Sequence, residues 1–135
     1  MNNQLNIGYV HYVEMDESNG ITPRDGYNTR RKYFIILGFD NRGNAIGGVV
    51  INSKINTRMG YLFTDYLMPI SVSQCSCLRH NSFVNCTKLK TVRIDALNEH
   101  TYQCSLEEEL VSTIKATLLN SPTTNHALNR NFGLE

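Results

Sequence analysis

The sequence predicts a mainly β protein, a small and strongly bent sheet or β-barrel covered by a C-terminal helix. Five or six short runs of β-branched and aromatic residues recur between residues 7 and 94, separated by segments rich in Gly, Asn, Asp and Ser. One amphipathic segment follows at residues 105–120. With 135 residues, 41% of them hydrophobic and 19% charged, the chain has the composition of one globular domain, which we place at residues 1–120.

The clearest strand signal is a hairpin between Arg31 and Asn56. Two apolar runs, 33–37 and 46–51, flank a segment rich in Asp, Asn and Gly at 38–45. This pattern is typical of two antiparallel strands joined by a turn. We therefore expect the chemistry of the protein to lie near the ends of these two strands.

Further strands are predicted on both sides of the hairpin. Pro69 directs its strand towards a sheet edge, because proline cannot donate to a ladder of hydrogen bonds. Residues 16–29 contain several Gly, Pro, Asp and Asn residues and predict a long irregular loop, a kind that is usually functional or mobile. The predicted strands are 7–15, 68–72, 82–86 and 89–94.

The C-terminal helix has the strongest start signal in the chain. Ser105 and Glu108 have the spacing of a capping box, and Glu107–109 favour the first turn electrostatically. Pro122 predicts an end near Asn120. Residues 121–135 are polar and without periodicity, so we expect a flexible tail. The apolar face consists of Leu106, Leu110, Val111, Ile114 and Leu118.

Charge and cysteine content exclude few functions. The formal net charge of +1 gives no strong signal for nucleic acid, although local clusters matter more than the total. No secretory h-region and no apolar run long enough to span a membrane is found, so we expect a cytoplasmic protein. The cysteines are then reduced thiols, and a CxC pair is not the usual zinc knuckle. We expect no metal and no cofactor. The cysteines are Cys75, Cys77, Cys86 and Cys104.

Two polar clusters are candidates for holding a phosphate. Arg30, Arg31 and Lys32 precede the first hairpin strand, and arginine offers an oxyanion a planar bidentate fork. The alternative is a solvated strand entrance that discourages edge pairing. Residues 52–56 (Asn-Ser-Lys-Ile-Asn) follow the second strand and offer hydroxyl, amide and ammonium donors. The alternative there is closure of the strand by local hydrogen bonds.

Other chemistry has weaker signals. His11 lies among aromatic residues in a predicted strand, a setting more typical of a packed histidine than of a general base. Tyr27 is close to Arg30, and Tyr61 is close to Arg58, as expected where bases stack on rings and cations hold the backbone. Tyrosine is equally a routine core residue. No Walker loop, GxGxxG, GxSxG or cysteine-nucleophile pattern is found.

The order of these blocks resembles the MazF/PemK family of toxins from bacterial toxin–antitoxin pairs. Residues 8–16 resemble the opening strand and loop of the family. Residues 31–36 and 50–55 resemble its Arg-Pro strand and its Ile-Thr-Ser-Lys run. Residues 82–92 resemble the strand and turn that end in Arg-Thr-Ile or Arg-Thr-Leu. The resemblance spans roughly residues 7–95.

The resemblance implies a MazF/PemK/CcdB-like, SH3-like barrel, a homodimer and a cognate antitoxin partner. It also implies metal-independent cleavage of single-stranded RNA by attack of a 2′-hydroxyl on the adjacent phosphate. Arg31 would stabilise the developing charge, Asn52 and Ser53 would orient the phosphate, and His11 is the nearby titratable group. The residues expected to contact the nucleic acid are Arg30, Lys32, Lys54, Asn56, Lys88 and Lys90.

The chain departs from the family at several site positions. Lys32 stands where the family has proline, and Asn52 stands where it has threonine. Asn85 and Thr87 align with an arginine and an aspartate that serve some members as acid and base. A second function is therefore open, a non-catalytic SH3-like module that binds RNA or a protein partner through the same groove.

Overall fold

The computed structural model describes residues 5–21, 26, 29–53 and 65–135 as one antiparallel sheet with C-terminal helices. The sheet order is β4-β5-β3-β2-β1-β6, so β4 and β6 are the edges of an open sheet in this part of the chain. The mainly β fold with a C-terminal helix is confirmed. The strands are β1 (Tyr9–Met15), β2 (Arg30–Phe39), β3 (Ala45–Asn52), β4 (Leu67–Ile70), β5 (Ser82–Arg93) and β6 (Tyr102–Ser105), followed by α1 (Glu108–Leu119) and α2 (His126–Asn131).

The predicted hairpin is confirmed as β2 and β3. Tyr33 lies opposite Ile51 in the register. In the turn, the Asp40 carboxylate accepts a hydrogen bond from the Asn44 amide at 2.8 Å. Gly43 has a φ of 73°, a left-handed conformation that suits glycine and fits the Asn- and Gly-rich turn sequence.

Both faces of this hairpin are buried, which explains its nearly unbroken apolar runs. Ile35 and Val49 belong to one core cluster, which also contains Ile114 of α1. Phe34 and Val50 belong to a second cluster on the opposite face. Alternation along each strand assigns neighbouring residues to different clusters.

The structure differs from the prediction at the start of the helix. Ser105 belongs to β6, where it pairs with Tyr9, and the Leu106 amide donates to the Gly8 carbonyl at 2.9 Å. The first helical residue is therefore Glu108, and Glu107 stands at the cap without a side-chain hydrogen bond. The capping box was wrong because pairing with β1 extends β6 through Ser105. The end of the helix at Leu119, capped by Asn120, is as predicted.

The structure also differs over residues 121–135, which we expected to be a flexible tail. They contain the short helix α2. The Asn125 side chain caps it by accepting a hydrogen bond from the Leu128 backbone amide at 3.0 Å. Phe132 and Leu134 are buried in the main core cluster. A Cβ on Gly47 would lie 2.9 Å from the Phe132 ring, so this glycine makes room for the packed ring. Two buried apolar residues at the end of a polar segment hold it in place.

The remaining strands follow the sequence with two changes, of which the first is that β6 was not predicted. β1 and β4 lie close to their predicted positions, and Pro69 is on an edge strand as expected. The two strands predicted at 82–86 and 89–94 are one continuous strand, β5. Across the described ranges, no helix combines the length and the apolar content needed to cross a membrane.

Candidate functional site

A cavity of about 300 Å³ opens where β2 begins and β3 ends. Antiparallel pairing places the first residues of β2 and β5 beside the last residues of β3. The loop between β4 and β5 supplies the remaining wall. The lining residues are Tyr12, Arg30, Arg31, Lys32, Tyr33, Ile51, Ser53, Leu78, Arg79, His80 and Ser82.

The wall of this cavity is strongly cationic. It contains Arg30, Arg31, Lys32 and Arg79, and no aspartate or glutamate is among the lining residues. Several like charges around one concave surface concentrate the positive potential there and attract anions. The cavity is thus suited to a phosphate, because guanidinium groups bind phosphate oxygens in pairs.

Two tyrosine rings form a platform beside these cations. Tyr12 and Tyr33 are cross-strand partners, with ring centroids 4.6 Å apart. The Arg31 guanidinium lies over the Tyr12 ring, 6.0 Å from its centroid. Burial is the main reason that the pKa of Tyr33 is raised, so this phenol stays neutral. Exposed aromatic faces next to cations are typical of sites that stack nucleic-acid bases.

His80 is the imidazole at the cavity. Its Nδ1 lies 3.2 Å from the Asn81 carbonyl oxygen, which can only accept, so Nδ1 carries the proton in the neutral ring. Nε2 then keeps its lone pair and is able to accept a proton. The Ser82 hydroxyl donates to the His80 backbone carbonyl at 3.0 Å and fixes the strand entrance beside it.

The structure brings four of the predicted site residues together, namely Arg30, Arg31, Lys32 and Ser53. Asn52 is a neighbour of the cavity but is not among its lining residues. Its Oδ1 accepts a hydrogen bond from the Lys32 ammonium at 2.5 Å. Asn52 therefore acts on the site through Lys32.

Several predicted contacts fall outside the described residues. Lys54 and Asn56, expected to touch nucleic acid, lie in the segment 54–64. Tyr27, Arg58 and Tyr61 also lie outside the described residues. Their predicted roles stay predictions.

His11 is on the other side of the sheet from the cavity. It is fully buried, and its Nδ1 lies 2.8 Å from the Thr101 hydroxyl oxygen. Its ring packs edge-on against Tyr102. Neighbouring residues in a strand point to opposite faces, so Tyr12 lines the cavity while His11 does not. The proton-transfer role expected for His11 has no support from this placement.

Lys88 and Lys90 also lie away from the cavity. They are six and eight residues along β5 from Ser82, which is roughly 20–27 Å at about 3.3 Å per residue. Lys90 packs beside Gly20 of the β1–β2 loop, and burial lowers its pKa. These two lysines do not contribute to the same site as Arg31.

Asn85 and Thr87 hold β5 locally. The Thr87 hydroxyl donates to Asn85 Oδ1 at 2.6 Å. The Thr87 carbonyl accepts from the hydroxyls of Ser121 and Thr123, at 2.6 and 2.7 Å, which ties the C-terminal segment to β5. Residues that would be acid and base in the resembled family therefore have structural contacts in this chain.

Seven of the eleven residues that line the cavity were not predicted as site residues from the sequence. The Tyr12–Tyr33 platform depends on a cross-strand register that short-range patterns do not give. Arg79 and His80 carried a usable signal, since an arginine and a histidine stand side by side one residue after the Cys75–Cys77 segment. One cluster of side chains able to ligate a metal is found among the described residues, formed by Cys75, Cys77 and Cys104.

Comparison with known proteins adds no assignment. No protein-family model matches the sequence, and no curated protein matches it at a significant level. The function of the chain must therefore be inferred from the cavity itself and from the residue-level resemblance described above.

Proposed function

We propose that the cavity binds the sugar–phosphate backbone of single-stranded RNA and that the protein is a metal-independent endoribonuclease of the toxin type. The observation that carries this proposal is the joining of four cations and a tyrosine pair around one cavity. Cations alone would suit any polyanion. The rings add a preference for unpaired bases, since only unstacked bases expose their faces to side chains.

The lining residues have suitable chemistry for transesterification. The 2′-oxygen would attack the adjacent phosphorus, and the bond from phosphorus to the 5′-oxygen would break. The products would be a 2′,3′-cyclic phosphate and a free 5′-hydroxyl. His80 Nε2 would accept the proton of the 2′-hydroxyl, and solvent would protonate the leaving 5′-oxygen.

The cations would stabilise the charge that develops on the phosphate. Arg31 is held over the Tyr12 ring and needs little reorganisation to meet an oxyanion. Ser53, an exposed residue at the end of β3, would donate a hydrogen bond to the same phosphate. Arg79 stands on the loop between β4 and β5 and would hold a neighbouring phosphate.

The toxin-type assignment includes the partners that the resemblance implies. These are a second copy of the chain in a homodimer and a cognate antitoxin that inhibits cleavage, both in the cytoplasm. Neighbouring open reading frames and sedimentation of the pure protein address the two partners separately.

A non-catalytic RNA-binding module is the second candidate. The observation that favours it is that His80 is the one imidazole among the lining residues, with no carboxylate beside it, so the cavity offers one candidate base and no partner acid. The same cations and rings would bind RNA without cleaving it. A protein ligand is less favoured, because the wall is cationic and has few exposed apolar side chains.

The test is cleavage of a long single-stranded RNA by pure protein in monovalent salt with EDTA. We expect cyclic-phosphate ends, and loss of cleavage by about 100-fold or more in Arg31→Ala. Arg42→Ala is the matched control, because Arg42 is an exposed arginine in the turn at the other end of the same hairpin. His80→Ala should lose cleavage while keeping most of the RNA affinity.

Two outcomes would decide against the enzyme. RNA that binds tightly but is never cut would leave only the binding module. Cleavage that is unchanged in Arg31→Ala would remove the proposed role of this arginine, and equal RNA affinity in Arg31→Ala and Arg42→Ala would remove the cavity as the binding site.

A further inference from the structure

Three cysteine sulfur atoms meet directly behind the cavity. Cys75 and Cys77 belong to the loop between β4 and β5, and Cys104 belongs to β6. The Sγ of Cys75 lies 3.3 Å from that of Cys77 and 3.6 Å from that of Cys104. The Sγ atoms of Cys77 and Cys104 are 2.7 Å apart. The fourth cysteine, Cys86, is outside this cluster.

The cluster connects the two edges of the open sheet. β4 and β6 are the first and last strands in the sheet order. The sheet is bent so far that the loop after β4 touches β6 through these sulfurs. A metal ion or a covalent bond between these sulfurs would join the two edges of the sheet, which the described backbone hydrogen bonds do not join.

The three sulfur atoms have the geometry of a metal site. Their Sγ atoms all lie within 4.8 Å of one another, so one ion can touch all three. The thiolate is the form that binds metals, and a bound ion displaces the thiol protons.

We propose that Cys75, Cys77 and Cys104 bind one Zn²⁺ ion. Thiolates are soft ligands, which favour zinc and its heavier analogue cadmium over magnesium or calcium. Around a tetrahedral zinc with Zn–S bonds of about 2.3 Å, sulfur atoms lie about 3.8 Å apart. The three sulfurs reach this spacing by moving apart by about 1 Å or less, and the fourth position takes a water or another small ligand.

The site would act on the cavity through the loop. Leu78, Arg79 and His80 follow Cys77 directly and line the cavity, and the Tyr33 hydroxyl contacts the Cys77 carbonyl at 3.4 Å. An ion that ties this loop to β6 would hold two polar side chains of the cavity in place. The ion itself would lie on the cysteines and would take no part in RNA chemistry. Zinc binding is measured without RNA, so a chain that fails to bind zinc leaves the RNA proposal standing.

The experiment is zinc binding by the full chain, reduced with a non-thiol reductant under argon and freed of metal. Native mass spectrometry should find one zinc per chain, and zinc should raise Tm by about 5 °C or more. Cadmium should add thiolate charge-transfer absorption in the near ultraviolet. Cys104→Ser and Cys77→Ser should weaken zinc binding by about 100-fold or more.

The matched control is Cys86→Ala, which removes a buried cysteine outside the cluster and should keep zinc binding. Cys77 is only half-buried, so Cys77→Ser remains informative if Cys104→Ser does not fold. The proposal is overturned if the reduced chain loses zinc to a weak chelator, or if Cys86→Ala and Cys77→Ser bind it equally. It is also overturned if air produces a Cys77–Cys104 disulfide while zinc neither binds nor protects the thiols.

Discussion

The two ends of the β2–β3 hairpin carry the same kind of charge but have different surroundings. Arg42 stands in the turn and is exposed, and the C-terminal segment packs on the strands near this end through Phe132, which lies against Gly38 and Gly47. Arg31 stands at the open end, where β1, β5 and the loop after β4 surround it with further cations and rings. A cation at a strand end becomes a site only when other elements converge on it.

Apolar packing at the turn end of the hairpin stabilises the strands, and this allows the other end to remain open. Phe132 covers Gly38 and Gly47 near the turn, so the hairpin is held there by apolar contacts. The open end can then keep several like charges close together, an arrangement that costs stability. The expected division is that the turn end controls folding and the open end controls binding.

The largest effect is expected at the packed end. Phe132→Ala removes a buried ring from the main core and should lower the free energy of unfolding by about 3–5 kcal/mol. Urea denaturation measures this loss. RNA affinity, measured where the variant is still folded, should change by less than about twofold, since Phe132 is not among the lining residues of the cavity.

Val72→Ala is the control for this change. Val72 is an exposed valine, and its removal should alter stability by no more than about 0.5 kcal/mol. If Phe132→Ala loses RNA affinity while fully folded, the two ends are coupled and the division proposed here is wrong.

Sequence patterns predicted the hairpin and the helix because their signals are local. Alternating or continuous apolar runs and an Asp- and Gly-containing turn fix β2 and β3 without help from distant residues. The flexible tail was mispredicted because its two apolar anchors, Phe132 and Leu134, have no period to reveal them. Their burial depends on glycines more than eighty residues earlier in the chain.

Part of the site was also predicted, because some of its residues lie in elements with local sequence signals. Arg30, Arg31, Lys32 and Ser53 lie at strand ends that can be read from the sequence. Tyr12 joins them only through the β1–β2 register. The cysteine cluster needs β6 to reach the loop after β4, so the CxC pair looked incomplete in sequence. The third thiol, that of Cys104, comes from β6, which the curvature of the sheet brings next to this loop.

The next largest effect tests the aromatic platform. Tyr12→Ala should weaken the binding of single-stranded RNA roughly 5- to 100-fold, the range for loss of one stacked ring. Tyr12→Phe keeps the ring and should bind nearly as well as the native protein. Fluorescence anisotropy with a labelled oligonucleotide distinguishes them. Equal losses in both variants would mean that the hydroxyl, and not the ring, makes the contact.

The smallest effect concerns the salt dependence of binding at the open end. Each phosphate contact on a single strand contributes about 0.7 to the slope of log K against log salt. Arg79→Ala should therefore lower that slope by about 0.7 and weaken affinity similarly for all sequences, because a phosphate contact carries no base information. Arg42→Ala should leave the slope unchanged. If the two variants give the same slope, the loop arginine does not face the RNA, and the cavity binds through β2 alone.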